Sequence, residues 1–459
     1  MARKNAKPLR SLLESDAVRE AAEALLDAVE KANQDRDLSP KQYEKTLRDL
    51  ERLRGQPLAF PMLAAGAGRG ARMVAADGTL KLDFIAGLGV HAFGHGDRDL
   101  RAHALAAAAA DTQLQGHLMP GPEYLRLGRA LLQHAGPRLK HAWLALSGTM
   151  ANENALKMIY QKRSPADLLV CFENAFHGRS LAMSELSDRP AYRRGLPQTG
   201  RVLQVPFYAE ADPDSTQRTL DALEAHLRRH PGRIAGMCFE LVQGEGGFNT
   251  APRTFFAALM ARCQEAGLAV WVDEVQTFAR TGELFAFRTL DLEEWVDVVT
   301  VGKILHGSAT LSTRDYNPEP GLVAGTFAGS TAAMAVGARI IERLEEEGYL
   351  GAEGRIVVLG QRIERRFQSL ARRLPEAIGA RSGVGAMQAF VPWHGSEEIA
   401  RAVLEACFEE GLILLQAGHA PTKLRMLPPL NTTDEELEAA FGILEKALRR
   451  VAEDRELPC

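Results

Sequence analysis

The feature that most constrains this chain is a rhythm. From about residue 140 to residue 301, short apolar runs alternate with helical stretches. The runs at 142–146, 168–172, 202–207, 234–240, 268–272 and 296–301 read as strands, with helices expected between several of them, for example at 151–161 and 253–266. Strands that are apolar along their whole length are buried on both faces, and intervening helices supply the cover. The pattern predicts an α/β fold built on a large, mostly parallel sheet with helices on both faces. Sheets of this kind bind ligands just beyond the carboxyl ends of their strands. Chemistry is therefore expected immediately after the apolar runs.

At 459 residues the chain is too long for one ordinary core. Residues 1–58 read as a helical arm, with Leu12, Leu13, Val18, Ala21, Leu25, Leu26 and Val29 at helical spacing and charges on the other face. Such a face is expected to pack, on its own subunit or on a partner. Residues 59–350 form the expected large domain, with 60–100 contributing to a smaller α+β domain at 351–459. A long helix at 331–347 should end at Gly348, and the last helix should open with Thr433 and Glu436 as a capping box.

The formal net charge of −4 gives no global attraction to nucleic acid or to anionic membranes. No apolar run approaches the roughly 18–20 residues that cross a bilayer. The basic N-terminus lacks an apolar signal core, so the cytoplasm is the expected location. Cys171, Cys238, Cys263, Cys407 and Cys459 form no CxxC pair, which removes the usual sequence sign of a zinc or dithiol site. No metal site is expected.

The residues after the runs have a consistent character. Ser147-Gly148-Thr149 turns into a helix, whose exposed N–H groups and positive dipole end suit a phosphate; the same residues are also ordinary N-caps. Phe176-His177-Gly178-Arg179 follows the next run. Its aromatic could lie against a planar ring or belong to the core, and Arg179 could equally be a surface cation. Asp273, Glu274 and Gln276 follow another, and an acid closing an apolar strand is costly unless it is paired or used. It could cap the next element, or hold a pyridine nitrogen protonated. Gly302-Lys303 comes last: burial lowers the pKa of a lysine and frees its amine for imine chemistry, although many such lysines merely snorkel to the surface. Phosphate cradle, ring stacker, ring-nitrogen acid and imine lysine, in that order, together describe a pyridoxal-phosphate (PLP) site.

With those residues in view, the sequence resembles the class-III aminotransferases of the ornithine, acetylornithine and 4-aminobutyrate type. The resemblance covers roughly residues 60–450. It rests on Leu82-Asp83-Phe84-Ile85-Ala86-Gly87 with Gly94-His95, on Ser147-Gly148-Thr149 with Ala151-Asn152-Glu153, and on Phe176-His177-Gly178-Arg179. It continues through Glu240 with Gln243-Gly244-Glu245-Gly246-Gly247, Asp273-Glu274-Val275-Gln276 with Arg280-Thr281-Gly282, and Gly302-Lys303. Gly325-Thr326-Phe327 and Leu424-Arg425 with Pro428-Pro429-Leu430 complete the series. The chain departs from the family pattern at Leu241 (usually Pro), at Ala328-Gly329-Ser330-Thr331 and at Ile304-Leu305-His306-Gly307-Ser308-Ala309.

The resemblance implies the aspartate aminotransferase fold (fold type I) and a role for each matching residue. Lys303 would carry PLP as a Schiff base and move the proton, and Asp273 would pair with the pyridinium nitrogen. Gln276 would contact the ring's phenolic oxygen. Ser147, Gly148 and Thr149 would hold the phosphate, with Phe176 and His177 at the ring. Thr326 would reach the phosphate bound to the other subunit of a homodimer whose sites lie at the interface. Arg425 would grip the α-carboxylate of glutamate or 2-oxoglutarate, Arg179 a distal carboxylate, and Glu245 would mask Arg425 when the incoming amine has no α-carboxylate there. The reaction expected is transfer of an amino group from an ω-amino acid or diamine to a 2-oxo acid, with 2-oxoglutarate favoured, by a ping-pong mechanism. An aminomutase or decarboxylase on the same fold is the alternative, since those relatives keep the lysine, the aspartate and the phosphate cradle. A non-catalytic relative using its N-terminal arm for interaction is a third reading, against which Lys303 and Asp273 speak.

Overall fold

The computed structural model describes residues 11–33, 37–66 and 68–458. The main sheet has seven strands in the order His141–Ala145, Ser308–Ser312, Val298–Val301, Ala269–Glu274, Ile234–Phe239, Leu168–Phe172, Val202–Val205. Ser308–Ser312 is antiparallel to both neighbours, and every other pairing is parallel. Leu168–Phe172, Ile234–Phe239, Ala269–Glu274 and Val298–Val301 are buried at every position, as their apolar sequences require. The expected α/β class with a mostly parallel sheet is what forms.

Ser308–Ser312 is not among the predicted strands, because Ser-Ala-Thr-Leu-Ser has no apolar run. It is nonetheless buried throughout, its backbone paired on both sides, and the Thr310 hydroxyl donates to the Ala151 carbonyl at 2.7 Å. Since this strand pairs antiparallel with Val298–Val301, the chain reverses within the few residues between them. Lys303–Leu305 is a single 3-10 turn, closed by His306 at φ 56°. Lys303 thus sits at the tip of a tight hairpin.

Helix Thr331–Glu346 packs on Arg98–Ala110 and Pro122–His134, and Gly348 follows it in the left-handed region (φ 66°). In the C-terminal part, Arg381–Val384, Met387–Phe390, Lys423–Met426 and Leu415–Ala417 form a four-stranded antiparallel sheet in that order. Arg72–Val74 and Leu80–Asp83 form a hairpin to which Leu412–Ile413 adds in parallel. Helix Asp434–Asp454 opens with the expected capping box: Thr433 Oγ1 accepts from Glu436 N at 3.2 Å, and Glu436 Oε2 accepts from Thr433 N at 3.0 Å. Glu436 Oε1 also accepts from Ala71 N at 3.2 Å, so the cap fixes a distant segment as well.

The arm helix Asp16–Asn33 packs on its own chain, burying Ala22 and Leu26 beside Ala102. Charge adds direction to this contact: Arg98 pairs with Glu23 (2.5 Å), Asp27 (2.7 Å) and Glu30 (3.0 Å), and Arg101 with Glu30 (2.5 Å). Residues 1–10 lie outside the described part. Among the described residues no helix is long and apolar enough to cross a membrane, and no group of His, Cys, Asp and Glu could hold a metal ion.

Candidate active site

Five segments that leave the carboxyl ends of strands of the main sheet meet in one cavity, lined by Ser147, Gly148, Thr149, Asn152, Phe176, His177, Gly178, Glu240, Gly244, Glu245, Asp273, Val275, Gln276 and Lys303. Most of the sequence-predicted site residues are in this set. Arg425 joins it through Glu245, while Arg179 stands at its outer side. Thr326 is exposed and does not line the cavity of its own protomer.

Alternation along Ala269–Glu274 sends Asp273 and Glu274 to opposite faces. Glu274 turns away from the cavity and accepts from Thr277 Oγ1 (3.0 Å), Ala286 N (2.7 Å) and Phe287 N (2.9 Å). Asp273 faces the cavity with both oxygens engaged. Oδ2 accepts from Asn152 Nδ2 and meets His177 Nδ1, each at 2.8 Å, and Oδ1 accepts from Val275 N at 3.0 Å. Burial pulls the His177 pKa down, but the hydrogen bond to Asp273 and the charges of Asp273 and Glu240 outweigh it, and the net shift is upward. Beyond the ring, Cys238 Sγ lies 3.6 Å from Nδ1. His177 therefore works from behind the acid, with its ring wholly buried, rather than as a lone wall of the cavity.

Asn152 was visible in the Ala151-Asn152-Glu153 block without a role. Its amide spans two segments, donating to Asp273 and to the His177 carbonyl at 2.7 Å. Glu240 is similar: it accepts from Phe176 N (3.0 Å) and Gly244 N (2.8 Å), so one carboxylate positions both the ring-side loop and the Glu245 loop. Burial raises its pKa to about 7. A buried polar residue at a strand end or on an apolar helix face is the sequence signal for both.

The phosphate cradle combines the two readings of its sequence. Ser147 Oγ accepts from Met150 N at 3.3 Å and caps helix Gly148–Arg163, whose first N–H groups open toward the cavity. At Gly178 (φ 134°) a Cβ would come 2.6 Å from Thr149 Oγ1, so the close approach of these loops requires glycine.

Lys303 Nζ donates to Gln276 Oε1 in a very short contact. Burial, then the positive charge of Arg425, lowers its pKa to about 8. Among the described residues Gln276 Nε2 is buried without a partner, as is Asn152 Oδ1. An orphaned donor beside a lysine, with an acid and a helix N-terminus at the far ends, fits a planar heterocycle bearing a phenolic oxygen, a ring nitrogen and a phosphate. Over this floor Arg425, nearly buried, donates to Gly244 O (3.0 Å) and pairs with Glu245 at 2.5 Å. Burial works against the Glu245 charge, but Arg425 prevails and its pKa is lowered. The Arg179 guanidinium lies 3.8 Å over the Tyr192 ring and 5.8 Å from that of Phe176.

The class-III aminotransferase family model matches residues 57–448. The chain belongs to the class-III aminotransferases. An acetylornithine aminotransferase of Thermosynechococcus vestitus is 29% identical over 402 residues, 84% of this chain and 92% of the relative. A 2-aminoadipate transaminase of Pseudomonas putida is 31% identical over 403 residues, 83% of this chain and 94% of the relative. Among solved structures, the lysine aminotransferase of M. tuberculosis matches with a TM-score of 0.79 at 23% identity, covering 88% of this chain and 99% of that one, a likeness that shows the fold. The enzyme is thus a transaminase of the fold its sequence resembles, and the family is PLP-dependent.

Proposed function

We propose that this class-III aminotransferase moves the amino group of an ω-amino acid or diamine (ornithine, acetylornithine, 4-aminobutyrate, putrescine or lysine class) to 2-oxoglutarate in two half-reactions of ping-pong type. The observation that carries this reading is the Glu245–Arg425 pair above Lys303. A guanidinium masked by a carboxylate accepts an amine that brings no α-carboxylate, and the same guanidinium, unmasked, takes the α-carboxylate of the acceptor. An aminomutase or decarboxylase has no use for that second setting.

PLP, when bound, supplies the electron sink that acidifies the substrate carbon bearing the amine. The chain supplies the rest. Lys303 anchors the cofactor and moves the proton, its lowered pKa keeping a neutral amine accessible near pH 8. Asp273, braced by His177 and Asn152, would keep the ring nitrogen protonated, and Gln276 Nε2 would donate to the phenolic oxygen. The start of helix Gly148–Arg163, with Ser147, Gly148 and Thr149, would hold the phosphate, and Phe176 would lie against the ring. Arg179, stacked on Tyr192, meets a distal carboxylate.

The same reading makes the enzyme a homodimer with interfacial sites. Leu118, Met119, Leu146, Met150 and Phe327 are large apolar side chains exposed on one protomer; Leu146 and Met150 flank the cradle, and Phe327 adjoins Thr326. Its expected place is the cytoplasm, with its partners confined to small molecules. An amine-donor panel run with 2-oxoglutarate and, in parallel, pyruvate tests the function. Glutamate forming from one or more ω-amines is the expected result. Transfer only from α-amino acids, or a rearranged or decarboxylated product, would overturn it.

A further inference from the structure

Arg189 follows the short helix Leu181–Leu186 and is only partly exposed. Its Nη1 lies 3.4 Å from His419 Nδ1. Its Nε and Nη2 are buried and have no hydrogen-bond partner among the described residues. Those two nitrogens form the side-on edge of a guanidinium, the edge that takes a carboxylate with two parallel hydrogen bonds. Elsewhere the chain uses that edge in this way. Arg126 grips Glu342 through Nε (2.7 Å) and Nη2 (2.5 Å), and Arg233 grips Asp167 through the same atoms at 3.0 and 2.9 Å. At Arg189 the edge is formed, desolvated and empty of an acid.

Glu245 is an acid within electrostatic reach of Arg189. His419 adjoins Gly418, whose N–H donates to the Glu245 carbonyl at 2.8 Å, so the contact made by Arg189 leads directly to the Glu245 backbone. The charge of Arg189 also contributes to holding Glu245 in its ionised form. If Glu245 masks Arg425 and then yields it to a substrate carboxylate, a buried carboxylate loses its partner in a cavity of low polarity. Such a group needs a second counter-charge. Lys303, the other cation acting on Glu245, is committed to the cofactor in the functional reading given above.

We propose that Arg189 is the second docking position of Glu245: the carboxylate alternates between Arg425, when the amine donor is bound, and the free edge of Arg189, when the acceptor's α-carboxylate holds Arg425. Arg189 is then a positioning residue that sets affinity for the dicarboxylate acceptor. This inference rests on the gating role of Glu245.

The test is a double-mutant cycle on the holoenzyme, with glutarate, an unreactive dicarboxylate, as the calorimetric probe. Arg189→Gln should weaken glutarate about tenfold or more, the loss expected for one charge-assisted contact. Arg189→Lys should restore much of that loss. In a Glu245→Gln background, where no carboxylate needs a second partner, Arg189→Gln should change affinity less than about twofold. An equal loss in both backgrounds would mean that Arg189 touches the ligand itself, and no loss in either would leave it without a role; each result overturns the proposal. The gate is read separately, because Glu245→Gln alone should tighten glutarate by freeing Arg425. An unchanged affinity in that single variant removes the gate, whatever Arg189 does.

Discussion

Replacing Arg425 with lysine keeps a positive charge at the mouth of the site but removes the planar fork. In the resting protein two contacts are at stake: Nη1 to Gly244 O at 3.0 Å and Nη2 to Glu245 at 2.5 Å. In the proposed reaction the α-carboxylate of the 2-oxo acid takes the place of the Glu245 carboxylate on this guanidinium, where two parallel N–H···O bonds can form. A lysine offers a point charge in its place, losing the second parallel bond and the geometry. A hydrogen bond to a charged group contributes about 1.5–3 kcal/mol, and 1.36 kcal/mol is a factor of ten. Arg425→Lys should therefore slow the 2-oxoglutarate half-reaction, as kcat/KM, by about 10- to 100-fold. The half-reaction with a diamine makes no such contact and should fall less than about threefold. Rapid-mixing absorbance measurements of the two half-reactions, each started from the appropriately loaded enzyme, give both numbers. Equal losses would refute the assignment of Arg425 to the acceptor's carboxylate, and with it the alternation at Glu245. The lysine variant is preferable to alanine because truncation would strand a buried Glu245, at a cost of about 3–5 kcal/mol in a fully buried pair.

Three further outcomes follow from the site. Lys303→Ala should abolish turnover and leave no residue that borohydride can link to PLP; mass spectrometry of the reduced protein checks this, and a labelled peptide elsewhere would move the anchor. Because burial lowers the Lys303 pKa to about 8, the rate of PLP uptake by the apoenzyme should rise with pH and level off above that value. An inflection near the ordinary lysine pKa, about 10.4, would show that the amine is not desolvated. His177→Gln removes a ring whose folded pKa is raised above 6.5. The stability it contributes is complete below about pH 6.5 and disappears as pH rises through the higher folded value. Urea unfolding should accordingly show a wild-type advantage near pH 6 that shrinks by pH 9, and a constant difference would detach His177 from the charge of Asp273.

The sequence made visible whatever is carried by local pattern. Apolar runs such as Leu168–Phe172 disclosed buried strands, and the acid and lysine that close two of them, Asp273 and Lys303, were conspicuous because charge is expensive there. Ser308–Ser312 escaped because burial of a small, hydroxyl-rich strand is decided by its neighbours and not by its own hydropathy. His177 reads as a cavity residue and lines the cavity, but the bond of its Nδ1 to Asp273, a partner 96 positions away, has no local signal. Arg189, His419 and Glu245 converge from three separate parts of the chain, and no spacing in a single sequence reports such a meeting. Thr326 is exposed and does not line the cavity of its own protomer, and the role proposed for it comes from the family likeness alone.

The hairpin that carries Lys303 has a mechanical meaning. Each of its legs is hydrogen-bonded to the other and to a further strand on its outer side, and a Cβ at Gly302 would meet Ser308 Oγ at 2.7 Å and push that hydroxyl aside. The backbone beneath the lysine is therefore a fixed pivot, and any travel of its amine during a turnover has to come from rotation of four side-chain bonds. Lys303 itself stands at φ 50°, a setting that suits glycine better than any residue with a side chain. Glycine would relax that corner, so the lysine side chain is carried there at a cost in backbone conformational energy.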